Sequence, residues 1–243
     1  MKRSVIVLSP PKSGTQSVYR SLDGRTAGVT VFHAHRLDRT SRFLTGADPE
    51  PPTIEAAALA KQRVKVLKEH RLLRELLDVR VFKTLVFIRR EPRARLMSLL
   101  CHAHFELIAS HYDHAADRFG DLPALRRALD ALLRDRAATD MDYHEEVYAP
   151  LGVPPAALEA PFSITPVRPD LEVAALRFER LGEDFARLCA HFGQPGVELL
   201  HLNEARDRRQ DTPGQMRPAD GFERDLYAAF KRDYAIPDEL VGG

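Results

Sequence analysis

Val5-Ile6-Val7-Leu8-Ser9-Pro10-Pro11-Lys12-Ser13-Gly14-Thr15-Gln16-Ser17 is the stretch that decides the fold. Four consecutive apolar residues, three of them β-branched, read as a buried parallel strand, because a strand covered on both faces shows no polar alternation. Ser9-Pro10-Pro11 closes the strand, and Ser13-Gly14-Thr15 leads into a helix from Ser17 to Leu22. A strand, a glycine-containing turn and a helix start form the layout that cradles a phosphate. Backbone N–H groups of the turn point at the anion, and the helix dipole adds positive potential. The turn is not a Walker A loop, which places its lysine after the second glycine and a Ser/Thr after that lysine. In this chain Lys12 precedes the loop's only glycine. An ATP- or GTP-dependent phosphotransferase is therefore the second reading, not the first. A non-catalytic nucleotide-binding protein is the third.

Outward from this stretch, strands alternate with helices. Val29–Phe32, Val81–Ile88 and Val173–Phe178 read as strands, and Ala56–Leu77, Pro92 to about Tyr112, Leu122–Arg136, Tyr143–Tyr148, Glu183–Phe192 and Phe222–Tyr234 as helices. Pro92 stands where a helix accepts proline, in its first turn. The stretch Gly152–Pro169, with five prolines, is expected to be irregular, and Thr45–Thr53, with Pro49, Pro51 and Pro52, to be a mobile loop. The expectation is an α/β fold, a single domain over residues 1–243. Its central, mainly parallel sheet of four or five strands is flanked by helices, and ligand binds at the carboxyl ends of the strands.

Composition narrows the classes. The 243 residues carry 36 Lys/Arg against 35 Asp/Glu, a balance that argues against a general nucleic-acid binder. The charge is uneven in place. Residues 1–45 hold eight Lys/Arg against Asp23 and Asp38, and residues 80–95 hold six against Glu91. Two basic islands on an acidic remainder suggest a compact anionic ligand. Cys101 and Cys189 are too few for a disulfide framework or a cysteine-rich zinc site and read as inert core thiols. No apolar run reaches a membrane span. The amino-terminal apolar run is too short for a signal-peptide core, so the expected location is cytoplasmic. Nothing in the sequence bears on oligomeric state.

Two motifs in order carry a resemblance. Pro11-Lys12-Ser13-Gly14-Thr15 resembles the 5′-phosphosulfate loop of sulfotransferases that use 3′-phosphoadenosine 5′-phosphosulfate (PAPS). Arg90-Glu91-Pro92 with Ser98 eight residues after the arginine resembles their 3′-phosphate anchor, with Glu91 where the family has Asp or Asn. A guanidinium offers a bidentate phosphate contact, and a hydroxyl two turns on adds a donor. Arg177-Phe178-Glu179 and His201-Leu202-Asn203 are similar to later family segments. Tyr143–Gly152 with Ala160-Pro161-Phe162 resembles a bacterial branch of capsular polysaccharide synthesis proteins. The resemblance implies a P-loop-type sulfotransferase that moves a sulfuryl group from PAPS to a hydroxyl and releases PAP. Pro11, Lys12, Ser13, Gly14, Thr15, Gln16 and Ser17 would hold the phosphosulfate, and Arg90 and Ser98 the 3′-phosphate. Arg206, Arg208 and Arg209 would close over the nucleotide. The implied acceptor is a carbohydrate or a small molecule.

Such a transfer needs a group to take the acceptor's proton and a positive charge on the leaving bridging oxygen. Lys12 is the candidate for the charge. His33 and His35, at the end of the second strand, share a face by the period of two, and histidine is the usual base near neutral pH. His35 is read as the base and His33 as its support, the reverse assignment remaining open. A metal is not called for. His-x-His is also a metal pattern, but no spacing announces a third ligand.

Overall fold

The computed structural model of the chain describes residues 3–34, 71–137, 144–200 and 220–241. In chain order its elements are β1 (Arg3–Leu8), α1 (Thr15–Leu22), β2 (Val29–Ala34), a helical stretch at 71–77, β3 (Phe82–Arg89), α2 (Pro92–Ala103) and α3 (Phe105–Ser110). The two-residue strands β4 (Tyr112–Asp113) and β5 (Arg118–Phe119) follow, then α4 (Leu122–Ala137), a π-type turn (His144–Tyr148), α5 (Pro155–Glu159), β6 (Ser163–Arg168), β7 (Leu171–Arg177), α6 (Leu181–His191) and α7 (Asp220–Asp233). The loop expected at 45–53 and most of the helix expected over 56–77 lie outside the described residues.

The fold is α/β, with one five-stranded sheet in the order β2-β1-β3-β7-β6. The first four strands run parallel and β6 pairs antiparallel at the edge. Alternation sorts the side chains. Val5 and Val7, Val86 and Ile88, Ala174 and Leu176 pack with Val18 and Leu22 of α1 and Phe185 and Leu188 of α6. Ile6 and Leu8, Leu85, Leu171 and Val173 pack on the other face with Leu72, Leu76, Tyr148 and Leu158. Burying both faces is why these strands read as unbroken apolar runs.

Two expectations are corrected. The proline-rich stretch Gly152–Pro169 is not irregular: it holds α5 and β6. Pro155 starts α5 behind a Pro154 cap, a position whose N–H is not needed in the helix. Pro166 sits in an edge strand at a register shift, the place where a strand accepts proline. The helix expected from Pro92 to Tyr112 is two helices, because His104 (φ −125°, ψ 30°) leaves the helical conformation.

The chain divides into two compact units, Met1–Arg89 with Met141–Leu200 and Arg90–Asp140 with His201–Gly243. The first contains the sheet. The second is helical and surrounds its own core of Leu99, Leu100, Ile108, Leu125, Leu129, Leu226 and Phe230. In it, Tyr234 donates to Asp130 (2.9 Å) and Arg126 to the Asp233 carbonyl (2.6 Å), tying the end of α7 to α4.

Candidate functional site

The turn between β1 and α1 is anchored at its entrance. The Tyr148 hydroxyl donates to the Leu8 carbonyl, and the Ile88 N–H donates to Ser9 Oγ at 2.6 Å, joining the ends of β1 and β3. Beyond Ser9 the backbone is strained. Lys12 has φ 67°, a left-handed conformation that costs a side-chain-bearing residue about 1–2 kcal/mol. Gly14, at φ 79°, is the N-cap of α1 and has no side chain to cap the helix, and no acidic residue stands in the first turn. The leading N–H groups of α1 therefore have no side-chain acceptor at the cap. Ser13 is fully buried and its hydroxyl has no hydrogen-bond partner among the described residues. Strain, an uncapped helix start and a buried hydroxyl without a partner among the described residues are the features that an anion-binding turn would have.

The junction of β7 and α6 clamps this turn. A Cβ on Gly14 would meet Leu181 Cδ2 at 2.9 Å and the Phe178 ring at 3.1 Å. That junction is fixed by the pairing of half-buried Arg177 with buried Asp184. Arg177 donates from its guanidinium to both oxygens of Asp184 (2.9 and 2.7 Å), and its N–H to Asp184 Oδ2 (2.9 Å). Burial pushes the Asp184 carboxyl up, but the Arg177 bonds and charge outweigh burial and hold it below the usual carboxylate range. Arg177, Phe178, Leu181 and Asp184 were not expected as supports of the turn. The Arg-Phe-Glu stretch marks the place in sequence, but the partner seven residues on is visible only in the fold.

His33 lies beside the turn, at the end of β2 and paired in register with Val7. Its Nδ1 is 3.3 Å from Gln16 Nε2, and its ring stacks on Tyr19 with centroids 5.4 Å apart. The first unit thus brings Pro11 to Ser17 and His33 together at the carboxyl end of the parallel strands. Arg90 and Ser98 belong to the second unit, Arg90 half-buried before the start of α2 and Ser98 half-buried within it. Glu91 caps α2, accepting from the N–H groups of Arg93 (2.9 Å) and Ala94 (2.6 Å). His35, Arg206, Arg208 and Arg209 lie outside the described residues.

Of the second basic island, Lys83 is spent inside the fold on Asp170 (2.7 Å), while the exposed Arg80 pairs with Asp78 (2.8 Å) and Arg93 with Asp238. Cys101 and Cys189 are buried, and burial pushes the Cys189 thiol up to about 11. Among the described residues no three His, Cys, Asp or Glu side chains gather as a metal ion would require, and no helix is long and apolar enough to cross a membrane. Compared with known proteins, the chain matches no family model, no curated protein and no solved structure.

Proposed function

We propose that the chain is a PAPS-dependent sulfotransferase acting on a hydroxyl of a carbohydrate or small molecule. The observation that carries the reading is the β1–α1 turn: the left-handed Lys12 and Gly14, the uncapped start of α1 and the buried Ser13 hydroxyl with no partner among the described residues. These groups fit a 5′ phosphosulfate, which needs backbone donors, a hydroxyl and one cation. The donor supplies a sulfuryl group whose bond to the bridging oxygen breaks as the acceptor oxygen bonds to sulfur. The Lys12 ammonium would stabilise negative charge gathering on that oxygen. His35 would take the acceptor proton, with His33 two residues before it as its support. Arg90 and Ser98 would hold the 3′-phosphate, and Arg206, Arg208 and Arg209 would cover the nucleotide.

A thermal-shift titration tests the reading with PAP, ATP plus magnesium, and adenosine 5′-phosphosulfate in parallel. PAP at a hundredfold over its Kd adds about 2.7 kcal/mol of apparent stability, a shift of roughly 5–11 °C for a chain of this size. A shift with PAP and none with ATP supports the reading. The reverse replaces it with a phosphotransferase. PAP binding with no turnover across an acceptor screen with PAPS replaces it with a non-catalytic nucleotide-binding protein.

A further inference from the structure

Gln16, Tyr19 and Asp23 are spaced three and four apart, so they share one face of α1 and its end. Val29, Val31 and His33 alternate along β2, and Val29 and Val31 pack into the same core as Val18 and Leu22 of α1. The two faces meet at His33. Its ring lies on that of Tyr19 at an interplanar angle of 24°. Burial, then the Asp23 carboxylate, push the Tyr19 phenol above its ordinary value.

A general base must present a lone pair to the acceptor hydroxyl at hydrogen-bond distance. His33 Nδ1 faces the Gln16 amide. If the amide nitrogen donates, the Nδ1 lone pair is used; with the amide reversed, an Nδ1 proton is donated to its oxygen. Either way Nδ1 is committed. Nε2 is sealed from solvent, with under 1 Å² accessible. The Gln16 amide, which sequence alone assigns to the phosphosulfate, is turned to the ring.

We propose that His33 is a positioning residue, not the base. With Gln16 and Tyr19 it braces the first turn of α1 against the end of β2, and so sets the backbone that receives the nucleotide's 5′ end. This rests on the nucleotide-binding reading of the turn, and it makes Gln16 and Tyr19 determinants of nucleotide affinity rather than of proton transfer.

The test uses the full chain with Gln16→Ala, His33→Phe and the double variant. Gln16 is half-exposed on a helix and alanine is a strong helix former, so that variant folds. Nitrogen-15 NMR of the imidazole gives the first readout. Wild type is expected to show one fixed His33 tautomer and Gln16→Ala a mixture of both. An unchanged ring signature overturns the brace. PAP affinity by calorimetry gives the second. Each single change weakens binding about five- to tenfold, the worth of one hydrogen bond, and the double no more than either. Losses that multiply in the double variant overturn the coupling. Turnover gives the third: His33→Phe raises KM for PAPS and leaves the pH profile in place. A 10²- to 10⁴-fold fall in kcat with the acidic limb lost and PAP affinity kept makes His33 the base and overturns the proposal. A wild-type chain that binds no PAP defeats the nucleotide reading, and with it the role given to the brace. The ring signature then separates that failure from the absence of the brace itself.

Discussion

The two ends of the parallel sheet are both polar, and they are built on opposite terms. At the amino end, buried and half-buried charges are paired with opposite charges. Lys83 is wholly buried, with Nζ 2.7 Å from Asp170 and donating to the Asp78 carbonyl at 2.8 Å. Glu172, also buried, accepts from Thr84 Oγ1 at 2.7 Å and lies 2.9 Å from His191 Nε2, with the Arg3 guanidinium 4.0 Å away. Ser4 donates to Glu75. At the carboxyl end there is a left-handed lysine, a helix without a side-chain cap and a buried hydroxyl with no partner among the described residues. Polarity by itself does not mark a site. A buried charge that is satisfied holds the fold together, whereas donors left unsatisfied on a strained backbone mark the place to test for a ligand.

The comparison breaks most visibly at Lys83. Lys83→Met removes the cation, leaving Asp170 with Arg168 alone (3.3 Å) and the carbonyls of Leu76 and Asp78 without their donor. The expected loss is about 3 kcal/mol in urea unfolding, the cost of breaking one side of a buried pair, with PAP binding kept when measured well below the transition. A loss under about 1 kcal/mol would put this end in the class of ordinary surface pairs.

The sequence read the two ends unequally, for a physical reason. The carboxyl end is local: strand, turn and helix occupy residues 3–22, so the β-branched run, the Ser-Gly turn and the missing Walker lysine are all visible in one stretch. The amino end is assembled from residues far apart in sequence. Lys83 meets Asp170, and Thr84 meets Glu172, only because β3 and β7 are neighbours. Lys83 therefore read as part of a basic island awaiting an anion. β6 was missed on the same account. Pro166 looked like a breaker, and only its place at the sheet edge makes it tolerable. Tyr19 was missed because its role needs the end of β2 beside it.

The Arg177–Asp184 pair sharpens the comparison, since it is a satisfied pair placed at the unsatisfied end. The folded Asp184 carboxyl sits below its unfolded value. Its stabilisation is therefore complete above the unfolded value of about 4 and is lost as pH falls through the folded one. Asp184→Asn is expected to cost about 2–3 kcal/mol at pH 7. Urea unfolding at pH 7, 5 and 3 should show the gap to wild type closing at the acid end. A gap that does not change with pH means the pair's charge is not what stabilises the clamp.

Gly14→Ala acts on the turn itself. A left-handed backbone and a methyl driven against Leu181 cost about 1–2 kcal/mol, and the shifted turn should lower PAP affinity more than tenfold by calorimetry. Unchanged affinity would mean that the anion is not held by this backbone.

The smallest effect on stability separates the two ends most cleanly. At the amino end every change away from the native residue should destabilise, because the groups already satisfy one another. At Lys12 the native residue is the strained one. Lys12→Gly relieves a left-handed conformation worth about 1–2 kcal/mol and returns about 0.5–1 kcal/mol of it in the freedom glycine gains when unfolded. The variant should therefore unfold about 0.5 kcal/mol later than wild type. Lys12→Ala keeps the strain and gains nothing. Both lose the ammonium, so both should lose turnover together. A rise in stability together with a loss of turnover in Lys12→Gly would mean that the lysine is kept for its charge. Equal stability in the two variants would remove the strain from this account, and wild-type turnover in either would remove the charge.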